Sequence, residues 1–321
     1  MTFPLCSRPG TLAFLDDDPD YLEMLAMVVP RGWHARLFAQ PRECMARLQQ
    51  ELPFWEADAW SQQELVDQWR AGRPLVPQVL TYWARNSERF ALTRAFMVDY
   101  SMPEIDGLQV LAEMGDWPGA RVLLTGQADD QIAIDAFNSG LIDQFIPKQT
   151  GDIGQRLHEV VERLMASPHP THAQTWRATL KPEQLALLRA PGVERDLALL
   201  AAGRWVEHVV IGDPFGVLGL DAAGRAGWLQ LETPATLPAL AEMAQLEGLD
   251  AASVAAIRAG HQLASVEVSQ SLRQPPQLAA ALPVGDGGPL LAAWFVLDAP
   301  GLDDAGYSHW LARQPQRRVA T

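Results

Sequence analysis

Cysteine is almost missing from this chain: Cys6 and Cys44 are the two present. No disulfide framework holds the fold, neither cysteine has a companion at metal-ligand spacing, and a reducing cytoplasm is the expected compartment. Basic residues are outnumbered 25 to 39 by acidic ones, a net charge of −14. That balance speaks against nucleic-acid binding, which needs a basic surface to displace counterions. The basic stretch Arg313 to Arg318 is too short to reverse it and reads as a solvated terminus. No apolar run is long enough to span a bilayer, and no membrane role is expected. The start, Met1 to Pro9, lacks the basic-then-apolar pattern of a secretion signal. Also missing are a P-loop, an HExxH pair, a GG(D/E)EF or Glu-Ala-Leu signature, a His-Asp metal motif and a basic helix-turn-helix. His158, His169 and His172 lie close together, but no cysteine or carboxylate completes a ligand set, so they read as solvated.

What is present is regular alternation. At 321 residues the chain has length for two domains. Thr11 to Leu15 is an apolar run of strand character ending in Asp16-Asp17-Asp18-Pro19, where Asp18 suits an N-cap and Pro19 a first helical residue. Trp33 to Phe38 follows as a strand and Glu43 to Leu52 as a helix. Ala95 to Val98 is a strand running into Asp99, and Arg121 to Leu124 one running into Thr125. Gln144 to Ile146 leads to Pro147-Lys148, and Ile153 to Leu164 is an amphipathic helix. Such β-α alternation predicts a doubly wound, five-stranded parallel sheet with helices on both faces.

The stretch from residue 51 to 93 is too long for a simple connection. It carries Trp55, Trp60, Trp69, Tyr82 and Trp83 and predicts one or two added helices. Their aromatics are expected to extend the core of the first domain; a partner or dimer surface is the alternative. Ser167-Pro168-His169-Pro170-Thr171-His172 reads as a linker. Beyond it the pattern predicts helices within Lys181 to Leu200, broken near Pro191-Gly192. Strands are expected at Val206–Ile211, Gly216–Leu220 and Gly227–Leu231, then helices at Leu237–Gln245 and Ala251–Ala259. Further strands are expected at Ser265–Leu272, Ala279–Val284 and Leu290–Leu297. His208 and His261 are the histidines nearest to a ligand role here, and satisfied or exposed side chains are the simpler reading.

Asp16, Asp17, Asp99, Thr125 and Lys148 each stand where an apolar strand stops. Singly they suit a helix cap, a strand end or a solvated charge. Together they belong at the carboxyl ends of parallel strands, where such sheets bind ligands. Crowded carboxylates need a cation, and hard oxygen donors suit Mg²⁺. Magnesium with a lysine ammonium would hold the oxygens of a phosphoryl group.

These residues resemble the receiver domain of two-component response regulators. Val98-Asp99-Tyr100-Ser101-Met102-Pro103-Glu104-Ile105-Asp106-Gly107 is similar to the family's Asp-x-x-Met-Pro-x-x-(Asp/Asn)-Gly motif, and Asp16-Asp17 to its acidic pair. The resemblance implies Asp99 as phosphoacceptor, and Asp16, Asp17, Asp99 and the Ser101 carbonyl as magnesium ligands. It implies Thr125 and Phe145 as the switch pair, Lys148 as the phosphate-site lysine, and Ser101 and Gln127 as modulators of hydrolysis. Gln149 stands where the family usually has proline, and Gly126 where alanine is common. The implied domains are a receiver over 1–166 with the insertion at 51–93, a linker over 167–178 and an α+β domain over 179–321. The segment Gly212 to Arg225, with the order strand pair, two helices, three strands, resembles a PAS-like sensor fold. The implied setting is a bacterial phosphorelay. A sensor histidine kinase would be the upstream partner, with a downstream protein, a second copy of the chain or a small-molecule ligand of the C-terminal domain as further candidates. An alternative output is an unrecognised enzyme, for example in nucleotide second-messenger turnover.

Overall fold

The computed structural model describes residues 3–126, 130–149, 151–167, 169–315 and 319–320. The chain divides into two compact units built from interleaved stretches. Arg8–Trp60, Glu88–His169 and Trp310–Thr321 form one; Met1–Ser7, Ser61–Ser87 and Pro170–His309 form the other.

The first unit is the doubly wound sheet. Its strands lie in the order Val319–Ala320, His34–Phe38, Thr11–Leu15, Thr93–Asp99, Ala120–Thr125, Gln144–Pro147, all parallel. Five strands match the sequence reading; the sixth, a two-residue edge strand from the chain's end, gives no local signal. Side chains alternate across the sheet, so each strand serves two cores. Ala13, Leu15, Phe96, Val98 and Leu123 pack with Cys44, Leu48, Val110, Leu111 and Ala133 on one face. Leu12, Phe14, Met97, Val122 and Leu124 pack with Leu22, Leu25, Leu157 and Val161 on the other. The helix Pro19–Val28 begins as expected: Asp18 caps it, accepting from the backbone N–H of Asp20 and Tyr21.

The unit also buries charge away from the strand ends. The Arg8 guanidinium donates to both carboxylate oxygens of Asp58, at 2.9 and 2.8 Å. Glu51 is ion-paired with Arg36 and accepts from the Thr93 N–H at 2.8 Å. Both acids belong to the start of the insertion.

The insertion forms the helices Leu52–Arg70 and Leu75–Arg85 and a 3₁₀ turn, Ser87–Ala91. Its aromatics do not all go where the sequence reading places them. Trp55 is buried in the first unit and Trp60 is exposed. Leu75, Val76, Val79, Leu80 and Trp83 instead join the core of the second unit with Trp176, Ile211, Leu218 and Trp228. Hydrophobic burial is non-directional, so composition alone does not choose between two cores.

The second unit holds an antiparallel sheet in the order Cys6–Ser7, Glu207–Gly212, Phe215–Leu220, Ala226–Glu232, Leu290–Val296, Leu282–Val284. Three corrections arise here. The expected linker over 167–178 contains the helix Pro170–Arg177. Proline suits a helix start as well as a linker, and Trp176 is an anchor whose Nε1 donates to Gln62 at 2.8 Å. The expected strand Ser265–Leu272 is the helix Val266–Leu272, stopped by Arg273 at φ 57°. Its apolar alternation is also satisfied at helical spacing, with Val266 and Ser269 buried three residues apart. The expected strand Ala279–Val284 is two pieces: Leu278–Ala280 pairs with Gln262–Ala264 in a separate ribbon, and Leu282–Val284 with the last strand. The order of elements that suggested a PAS-like fold is therefore not the one observed.

Candidate functional site

Backbone register assembles the site. Asp99 pairs with Leu124 and Thr125 with Pro147, so the ends of three neighbouring strands lie level. The Lys148 N–H donates to the Thr125 carbonyl at 2.8 Å, and the Tyr100 N–H to Leu124 at 2.9 Å. Asp16 is set beside them by its own N–H, which donates to the Phe38 carbonyl at 3.2 Å. The Gly107 N–H donates to Tyr100, and a Cβ at Gly107 would meet the Asp99 carbonyl oxygen at 2.3 Å. The glycine of the motif is thus required by close backbone approach.

Asp16, Asp99 and Thr125 are buried, Asp17 is exposed, and Lys148 is half-buried. The Lys148 ammonium bridges the two buried acids, 2.6 Å from Asp16 Oδ2 and 2.8 Å from Asp99 Oδ1. Burial is the largest influence on Asp16 and pushes its carboxyl above the usual range, against the opposing pull of Lys148. Burial works against the Lys148 charge, yet its hydrogen bonds to Asp16 and Asp99 and their charges carry it above its ordinary value.

Carboxylate oxygens of Asp16, Asp17 and Asp99 lie within 4.8 Å of one another. Three carboxylates against one ammonium leave an excess of negative charge that a hard divalent cation would neutralise, and an all-oxygen set fits such an ion. The Thr125 hydroxyl is buried without a hydrogen-bond partner among the described residues, and so is the Tyr21 hydroxyl. Phe145 is half-buried against the core containing Leu123 and Ala133. Ser101 is exposed in the loop after Asp99. Gln127 lies outside the described residues. The peptide bond after Lys148 is trans, as the single cis bond of the described residues is Asp213–Pro214.

Sequence reasoning passed over Tyr21, whose ring centroid is 4.5 Å from Lys148 Nζ. Its position three residues past the Asp18 cap, beside a strand end, was the available signal.

The second unit offers less. A groove of about 470 Å³ there is lined by Trp69, Arg73, Asp213, Glu267 and Gln270 among others, with no histidine among the described lining residues. Burial, with the charges of Glu232 and Asp213, raises the Glu267 carboxyl. His208 is buried, and its Nε2 lies 3.0 Å from the Pro4 carbonyl; His261 is exposed. No described helix is long and apolar enough to cross a membrane.

A doubly wound parallel sheet with an acidic cluster, a threonine and a lysine at adjoining strand ends is the receiver type of flavodoxin-like fold. The whole chain is similar in fold to the response regulator LqsR of Legionella pneumophila, with 20% identity over 98% of both chains and a TM-score of 0.70. Receiver-domain structures from Clostridium thermocellum and Methanospirillum hungatei match more loosely. Each covers 49% of this chain and 94% of its own, with 15% identity and TM-scores of 0.33 and 0.31. No protein-family model and no curated protein matches the sequence.

Proposed function

We propose that the chain is a response regulator in which Asp99 accepts a phosphoryl group from a sensor histidine kinase. The observation carrying this reading is the Lys148 ammonium bridging Asp16 and Asp99, with Asp17 completing an oxygen cluster and a Thr125 hydroxyl that has no partner among the described residues. An Asp99 carboxylate oxygen attacks phosphorus, the bond from phosphorus to the donor nitrogen breaks, and the departing imidazole keeps the electron pair and takes a proton. Lys148 orients Asp99 before transfer and pairs with phosphoryl oxygens after it. Mg²⁺ held by Asp16, Asp17, Asp99 and the Ser101 carbonyl would supply the charge neutralisation that phosphoryl transfer needs. The new group brings negative charge and strong acceptors. The Thr125 hydroxyl gains a partner in them, and its movement frees space for the Phe145 ring, altering the surface that a downstream protein reads. By the same receiver-domain resemblance, Ser101 and Gln127 would tune how long the acyl phosphate lasts.

The test is intact mass after incubation with acetyl phosphate and Mg²⁺. A single magnesium-dependent phosphoryl adduct is expected in the wild type and none in Asp99→Asn. An adduct of equal yield in the variant refutes the assignment.

A further inference from the structure

One polar group beside the site has no use in the reading above. Asp18 caps its helix by accepting from the N–H groups of Asp20 at 2.9 Å and Tyr21 at 3.2 Å, which fixes Tyr21 in the first turn. From there the Tyr21 ring stands against Lys148, its centroid 4.5 Å from Nζ. The ammonium is thus seated by the two carboxylates and an aromatic ring, an arrangement that cation–π attraction favours. The hydroxyl is buried and has no partner among the described residues. Burial, with the charges of Asp16 and Asp99, holds the phenol in its neutral, proton-bearing form.

A phenylalanine would supply the same ring without an orphaned hydroxyl. Buried polar groups without partners are rare in native proteins and mark places where a ligand, ion or water arrives. Thr125 presents the same signature, and the Tyr21 ring lies against the lysine of a site whose proposed reaction delivers new acceptor oxygens.

We propose that Tyr21 is a further residue of the phosphoryl site: its ring seats the Lys148 ammonium, and its hydroxyl donates to the oxyanion that forms on Asp99. This rests on the phosphoacceptor reading of Asp99 and adds a second hydroxyl donor to Thr125. The ring acts through Lys148 and is positioning; the hydroxyl touches the transferred group.

The experiment measures the initial rate of adduct formation from acetyl phosphate and Mg²⁺ by intact mass. It compares wild type, Tyr21→Phe and Tyr21→Leu, each also in a Lys148→Ala background, with melting temperatures to confirm folding. Tyr21→Phe is expected to slow the reaction about 10-fold, the effect of one hydrogen bond to a charged group. Tyr21→Leu is expected to slow it about 3-fold more, through loss of the ring. In the Lys148→Ala background the difference between Phe and Leu should vanish, because the ring then has no ammonium to seat. A ring that merely packs would leave that difference unchanged, which overturns the positioning role. A Tyr21→Phe rate equal to wild type overturns the donor role. A wild type that forms no adduct overturns the Asp99 reading and this assignment with it, which separates the two failures.

Discussion

The two units differ in how much charge they bury. The parallel unit buries charge: Asp16 and Asp99 against Lys148 at the strand ends, and Arg8 with Asp58 and Arg36 with Glu51 elsewhere. The antiparallel unit buries the Glu207 side chain, and its other buried polar groups include neutral ones such as His208 at the Pro4 carbonyl and the Trp176 indole at Gln62. Among the described residues the cluster of metal-competent carboxylates, Asp16, Asp17 and Asp99, lies in the parallel unit. Buried charge is costly unless paired, so a fold keeps it where chemistry or register needs it. The contrast teaches where to look for reactivity, and it has consequences for stability that differ between the units.

The largest expected effect comes from breaking a buried charge pair within the parallel unit. Asp58→Ala leaves the Arg8 guanidinium buried without its bidentate partner. Removing one member of such a pair costs about 3–5 kcal/mol. Urea unfolding followed by hydrogen exchange should show the loss in amides of the parallel sheet, Thr11–Leu15 and Thr93–Asp99. A variant within 1 kcal/mol of wild type, on the scale of an exposed pair, would erase the contrast drawn above.

The second effect sharpens the comparison from the antiparallel side. Burial depresses the His208 pKa from 6.5 to about 4, against the opposing hydrogen bond to Pro4. The folded state therefore binds fewer protons than the unfolded chain between those values. Stability from this group is fully present above pH 6.5 and is lost as pH falls toward 4. The integrated loss is about 3 kcal/mol. His208→Gln, which has no titrating group, should flatten that part of the acid limb when exchange is read in Glu207–Gly212 and Phe215–Leu220. An acid limb unchanged by the substitution would break the assignment.

The same difference governs how much was readable beforehand. The parallel sheet was legible because each strand is a contiguous apolar run and each functional residue stands at its end: Asp16 after Leu15, Asp99 after Val98, Thr125 after Leu124 and Lys148 after Pro147. The edge strands Cys6–Ser7 and Val319–Ala320 are two residues long and are defined by partners far along the chain, so no local pattern announces them. Val266–Leu272 misled because alternation over seven residues also places Val266 and Ser269 on one helical face. Trp83 was recognisable as a core residue, yet its sequence does not say which of two cores receives it. Tyr21 was hidden because its value depends on Lys148, 127 positions later in the chain.

The smallest effect lies at the other end of the pH scale and belongs to the parallel unit. Lys148 starts from an ordinary value of 10.5, and the hydrogen bonds and charges of Asp16 and Asp99 raise it despite burial. A raised cation contributes stability that is fully present below the unfolded pKa and is lost as pH rises through the folded one. Asp16 works in the opposite sense: its raised carboxyl costs stability while ionised, and the cost is relieved as pH falls through its folded pKa. Raising the pH above 10.5 should therefore loosen the parallel sheet, with faster exchange at Thr93–Asp99 and Ala120–Thr125. In Lys148→Ala that alkaline step should disappear while the acid response at Glu207–Gly212 stays as in the wild type. An alkaline step of equal size in both proteins would assign it to other groups and leave the strand-end ion pair without its expected share of the unit's stability.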